Sequence, residues 1–150
     1  MDKIVIRQVW HAAVDRVWNQ LRPRFIKAVE EHGGHWGHTW DTIYAELKES
    51  RAILHMVREG DEALAFFVTE LVHAGNKSSL RIVFLEGTEM DRWLEQGMRY
   101  IQALGHRYVV DDVELYGRRG WERVLAPHGF EFAFICLRKP LWAEEKRKKS

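Results

Sequence analysis

The sequence holds eight histidines, the first side chains to weigh for chemistry. His32, His35 and His38 recur at steps of three, and His11 could join them around a metal ion. Zinc needs three or four converging ligands, each oriented by a partner of its own. Gly33, Gly34 and Gly37 make this stretch a loop, so a polar His-rich loop is the simpler reading and no metal is assigned. Cys136 is the only cysteine. It can form no internal disulfide and no paired-thiolate zinc site. Set in the apolar run 132–137, it reads as a small core residue, without an evident His and Asp to make it a nucleophile. The most distinctive local run is Gly117-Arg118-Arg119-Gly120-Trp121-Glu122-Arg123. Its glycines permit a tight turn, and its arginines could clamp an anion or help Trp121 plug into a partner protein. Equally, it could start a helix with Trp121 packed inward and the arginines in water.

These groups need a frame. A chain of 150 residues that is 46% hydrophobic, 12% aromatic and 30% charged reads as one domain over residues 1–143 with a charged tail at 144–150. Such content excludes a disordered or collagen-like chain. A formal charge of +1 leaves no overall field for a phosphate backbone, and Lys146-Arg147-Lys148-Lys149 beside Glu144 and Glu145 reads as a soluble end. No apolar run could span a bilayer and residues 1–9 lack the pattern of a secretion signal, so a soluble protein in a reducing compartment is expected.

Alternation predicts a strand over 3–9. Val14, Val17, Trp18, Leu21, Phe25 and Val29 then form a helical stripe, with Pro23 expected to kink or split it. After the Gly-rich break, Thr39 or Asp41 can cap a short helix bearing Ile43, Tyr44 and Leu47. Strands are predicted over 53–58, 63–72 and 80–85, joined by turn residues. A helix over 88–104 stops at Gly105, followed by a strand over 107–115, a short helix over 118–125 and a last strand over 130–137. The order β-α-α-β-β-β-α-β-α-β implies an α/β (α+β) fold, a mixed and mostly antiparallel sheet flanked by helices.

That order resembles the GNAT (GCN5-related N-acetyltransferase) fold across almost the whole chain. Residues 80–85 resemble its central strand, 88–104 the helix behind the cofactor loop, and Gly129-Phe130 the Gly-Phe before its last strand. The resemblance implies acetyl-CoA with its diphosphate on a loop of the form Arg/Gln-x-x-Gly-x-Gly/Ala. The matching stretch here is Leu85-Glu86-Gly87-Thr88-Glu89-Met90-Asp91. It has one glycine and no basic residue, and Glu86, Glu89 and Asp91 bring negative charge that opposes a diphosphate. Thr88 with Asp91 fits a capping box, which would satisfy the helix amides internally and close the loop. The family's leaving-group acid is a Tyr whose position here is held by Leu125, and leucine cannot donate a proton. Tyr116 is the substitute acid. For a base the resemblance offers a strand carboxylate: Glu70, or Asp111, Asp112 and Glu114, which could equally be polar-face or edge residues.

With its Gly-Arg-x-Gly-Trp turn, such a degenerate GNAT chain is similar to GNAT-like proteins of tailed bacteriophages, of the internal virion protein type. That similarity implies a non-catalytic component of virion structure or assembly, without a cofactor, placed in host cytoplasm or virion and binding other virion proteins or itself. Trp36, Trp40, Arg118, Arg119, Trp121 and Trp142 are the expected contact residues, while Trp10, Trp18 and Trp93 are expected in the core. The alternative is an acetyl-CoA-dependent N-acetyltransferase with an atypical loop, using Glu70 as base, Tyr116 as acid, and Gly87 and Thr88 at the cofactor.

Overall fold

The computed structural model describes residues 3–32, 38–117 and 120–142. The chain forms two compact units, Met1–Arg119 and Gly120–Ser150. In the first, β1 (Ile4–Val9) leads through a 3-10 turn into α1 (Val14–His32) and α2 (Trp40–Lys48). Then follow β2 (Ile53–Glu59), β3 (Glu62–Ala74), β4 (Lys77–Gly87), α3 (Met90–Arg107) and β5 (Asp112–Leu115). The sheet order is β1-β2-β3-β4-β5. Tight turns make the β2-β3 and β3-β4 pairs antiparallel, whereas the α3 crossover returns β5 parallel to β4.

Alternation along the strands sends apolar side chains to both faces. Leu54, Met56, Phe66, Val68 and Phe84 pack with Val14, Trp18, Leu21, Phe25, Ile43 and Leu47 of α1 and α2. Val57, Leu64, Ala65, Phe67, Leu80 and Ile82 pack on the opposite face with Trp93, Ile101 and Leu104 of α3. Pro23 does not split α1, which continues through it.

Four indoles test the expected division between core and surface. Trp18 and Trp93 are buried as expected, but Trp40 belongs to the core and Trp10 to the surface. Trp40 opens α2 and stacks on Trp18 with ring centroids 3.8 Å apart, so its place at a helix end brings it inward. Trp10 lies between β1 and the 3-10 turn, off the α1 stripe, and is 71% exposed.

Two more sequence expectations move. Gly105 lies within α3 and does not end it; a Cβ there would stand 3.4 Å from Val110 Cγ2, so its smallness serves the packing of the following turn. The helix ends at Arg107, Val109 takes a left-handed conformation, and only Asp112–Leu115 of the longer expected strand pairs with β4.

The second unit has α4 (Gly120–Leu125), a 3-10 turn over Ala126–His128 and Gly129 at φ 90°. The strand expected over 130–137 is not formed. No ladder partner meets it among the described residues, and Phe132, Phe134, Ile135 and Leu137 are exposed. Cys136 is therefore exposed rather than in a core. Trp121 is half-buried and Trp142 exposed. Trp36, His35, Arg118, Arg119 and the tail lie outside the described residues.

Candidate active site at the β4-β5 fork

β4 and β5 run side by side only from Ser79↔Asp112 to Ile82↔Leu115. There β5 ends, while β4 continues to Gly87. At the same point the β3-β4 register slips from Val68↔Phe84 to Thr69↔Ile82, leaving Val83 as an extra residue in β4. Val83 and Phe84 consequently both contribute to the α1-α2 face of the core. An extra residue bends its strand and strengthens the local twist, so β4 turns just where its parallel neighbour stops. Among the described residues no strand pairs with 83–87 on the β5 side. An extended ligand carrying amides can add to such an edge.

The bare edge leads to the start of α3. Thr88 is held three ways: its amide and hydroxyl donate to Leu64 O at 2.9 and 3.3 Å, and its carbonyl accepts from Trp93 Nε1 at 2.9 Å. Leu64 is itself the extra residue of a second register slip, between β2 and β3. The capping box expected from Thr88 and Asp91 is absent. Glu89 is the residue before the helix, left-handed at φ 52°, and no side chain caps the helix. Arg92 N bonds Glu89 O, but the Met90 and Asp91 amides open the positive end of α3 without an internal acceptor of the capping-box kind. Gly87 has a packing reason: a Cβ would lie 2.6 Å from Ala65 Cβ and 2.8 Å from the Trp93 ring.

The acidic loop is also less negative than its sequence. Arg24, reaching across from α1, places Nε 2.8 Å from Glu86 Oε2, within ion-pair distance though not aligned as a hydrogen bond. Its other nitrogens donate to Ala63 O and Leu64 O. Burial raises the Glu86 carboxyl above its ordinary value, against the opposing pull of Arg24. Glu89 and Glu59 both pair with Arg92. The expected repulsion of a diphosphate thus overlooked cations supplied by other elements. An uncapped helix start, a bare strand edge and a loop in which Glu86 and Glu89 each have an arginine beside them together fit acetyl-CoA.

The narrow end of the fork carries a cluster of charged and phenolic side chains. Arg81 stands between Glu70 and Glu114 in the strand register. Its Nε donates to Glu114 Oε1 at 2.6 Å, its Nη1 reaches Glu70 Oε1 at 3.4 Å, and its Nη2 donates to Tyr116 Oη at 3.1 Å. The guanidinium also lies over the Tyr116 ring, 4.2 Å from its centroid. Burial opposes the charge of Arg81, yet Glu114, Tyr116 and Glu70 together hold its pKa above the ordinary value. Glu70 and Tyr116, 46 positions apart in sequence, therefore meet at one guanidinium. Asp111 and Asp112 are used otherwise: they bind Ser78 N and Ser79 Oγ and tie β5 to β4.

Arg81 and Arg24 are the residues that sequence reasoning missed. A lone arginine between Leu80 and Ile82 in a central strand was the available signal for the first; the second needed the packing of α1 to bring it near Glu86.

No protein-family profile and no curated protein matches the chain. Solved structures do. An acetyltransferase from Clostridium acetobutylicum, described as predicted and solved with acetyl-CoA, matches with TM-score 0.70 at 10% identity, over 93% of this chain and 97% of that one. A GCN5-related N-acetyltransferase from Ralstonia eutropha matches with TM-score 0.67 at 14% identity, over 93% and 99% of the two chains. A ribosomal-protein-alanine N-acetyltransferase from Brucella melitensis matches with TM-score 0.66 at 10% identity, over 94% and 100%. These neighbours, together with the unclosed loop, overturn the expectation of a cofactor-free, non-catalytic virion or assembly component; nothing among them links the chain to phage proteins. The fold of this chain is GNAT-like, a mostly antiparallel sheet flanked by helices in which, among the described residues, the one parallel pair parts at the β4 bulge.

Proposed function

We propose that the chain is an acetyl-CoA-dependent N-acetyltransferase acting on a primary amine. The observation that carries this reading is the bulge at Val83, immediately beyond the last β4-β5 pair. It opens about 17 Å of strand edge, at the usual rise per residue, from the Arg81 cluster to the loop before α3. The backbone of 83–87 would hold the amide-bearing arm of the cofactor. Gly87 and Thr88 set the path of the loop, and the Met90 and Asp91 amides would take the diphosphate. Bound there, acetyl-CoA supplies an acetyl thioester to the fork.

The side chains at the fork then have separate tasks. Glu70 accepts a proton at a carboxylate oxygen from an arriving ammonium group. Tyr116 carries a proton on Oη and can donate it where negative charge develops. The neighbouring carboxylate Glu114 adds to an environment that favours a cationic acceptor over an anionic one.

Calorimetric titration with acetyl-CoA tests the reading. Saturable binding with a Kd in roughly the micromolar range is expected. CoA-thiol release with a panel of primary amines should then fall by about 10²- to 10⁴-fold in Glu70→Gln and in Tyr116→Phe, with acetyl-CoA affinity retained. Absence of acetyl-CoA binding by the folded protein overturns the proposal.

A further inference from the structure

Three different nitrogens of Arg81 engage three different oxygen groups, and the distances are unequal. Glu114 is held closely at 2.6 Å, whereas Glu70 is only loosely reached at 3.4 Å. Both carboxylates are comparably exposed, 26% and 20%, so the distinction between them lies in the arginine contacts. Tyr116 accepts from Nη2, which uses a lone pair of the phenol and leaves its own O–H proton unspent by that contact. The overlying guanidinium also fixes the plane of the ring.

We propose that Arg81 is the positioning residue of the fork: it fixes Glu114 as its permanent counter-ion, leaves Glu70 as the carboxylate able to take a proton, and holds Tyr116 by its oxygen so that the phenol can donate. This assignment rests on the acetyl-transfer reading. It gives the two neighbouring carboxylates unlike roles. Glu114 satisfies the charge of a guanidinium one-quarter exposed at the fork, and without it Arg81 would draw Glu70 into a closer pair and make it a weaker base.

The contacts come from Nε, Nη1 and Nη2, whose N–H bonds all lie in one guanidinium plane. A lysine ammonium retains the charge but cannot serve the same three directions with a fixed planar geometry. The arrangement also depends on sheet register. Glu70 and Glu114 lie directly opposite Arg81 on either side, and a slip by one residue would turn either carboxylate to the α3 face.

The test compares wild type with Arg81→Lys, Arg81→Met, Glu114→Gln and Tyr116→Phe. Acetyl-CoA with a responsive primary amine is the assay, read as CoA-thiol release, and calorimetry with CoA alone reads binding. Both Arg81 variants should lose about 10- to 100-fold in kcat, while the acetyl-CoA KM and the CoA Kd stay within about threefold. Glu114→Gln should lower kcat by less and shift the acidic limb of its pH profile, because Arg81 is then free to tighten on Glu70. Adding Arg81→Met to Tyr116→Phe should cost much less than the product of the two single effects.

Full turnover by either folded Arg81 variant, or losses that multiply with Tyr116→Phe, overturns the positioning role while leaving acetyl transfer intact. Wild type that binds acetyl-CoA and releases no thiol with any amine overturns the acetyl-transfer reading and this assignment with it. Thermal melting identifies a variant that fails to fold, and Arg81→Lys, which keeps the charge, then carries the comparison.

Discussion

The two ends of β4 each hold an arginine beside a carboxylate, but the arginines are built into the protein differently. At the loop end Arg24 donates to two backbone carbonyls, Ala63 O and Leu64 O, and faces Glu86. At the fork end Arg81 binds side chains: Glu114, Glu70 and Tyr116. A backbone carbonyl cannot ionise or swing away, so Arg24 works as a brace that ties α1 to the bulged entry of β3. Side-chain oxygens can change protonation and move by a rotamer, so the Arg81 end can rearrange during a reaction. The same residue type is thus held by the main chain at one end and by side chains at the other, which is the difference the proposed roles draw on.

The largest effect should come from breaking that contrast at its rigid end. Arg24→Met leaves Glu86 half-buried without its cation and removes donors from two carbonyls. Complete burial would make such a loss about 3–5 kcal/mol; the partial exposure of this pair reduces the expectation to about 2 kcal/mol. Arg81→Met should cost no more than about 1 kcal/mol, since Glu70 and Glu114 can turn towards water. Urea unfolding of the two variants measures both. Equal destabilisation would mean that the fork is scaffold as well, and the contrast would fail.

Local sequence pattern made the layers legible because both faces of the sheet are apolar and the helices carry clear stripes. Val14, Trp18, Leu21, Phe25 and Trp93 were therefore placed by sequence pattern. The bulges at Leu64 and Val83 were not, because a single inserted residue hardly disturbs a run such as Ile82-Val83-Phe84 that is apolar throughout. Charge was misjudged for a related reason. Glu86 and Glu89 looked repulsive when read along the chain, while Arg24 is 62 positions away and Arg92 also serves Glu59. Glu70 and Tyr116 could be named as residue types; only the register could bring them to the same guanidinium. Conversely, the apolar alternation of 130–137 supplied β-propensity without a partner, and strand propensity needs one.

A second effect probes the face beneath α3, away from both arginines. His55 is fully buried, with Nδ1 2.8 Å from Tyr100 Oη and Nε2 2.8 Å from Thr69 Oγ1, and its ring stacks on Phe67. Burial lowers its pKa from 6.5 to about 3. Below pH ~6.5 the unfolded chain takes a proton that the folded chain refuses, so this group makes stability fall with pH by about 1.4 kcal/mol per unit until about pH 3. Above pH 6.5 its contribution is level. Unfolding measured between pH 7 and 5 should show the slope in wild type and a shallower one in His55→Gln. An unchanged slope would assign the pH response to other groups.

Glu86→Gln sharpens the contrast with the least perturbation. Glu86 bears a charge that burial disfavours and that Arg24 supports, so the two contributions to its stability oppose each other. A glutamine keeps a carbonyl oxygen for Arg24 and gives up the charge, and the expected change in folding free energy is under about 1 kcal/mol. Its consequence for acetyl-CoA is more directional. Removing a negative charge from the approach to the α3 amides should tighten binding by roughly threefold at low salt, with the gain shrinking as ionic strength rises. Calorimetry at two salt concentrations separates this field effect from a contact. Tighter binding that fades with salt identifies Glu86 as a braced, non-contacting charge; weaker binding at both concentrations would show that its carboxylate meets the ligand, and the loop end of β4 would then share in recognition instead of only shaping it.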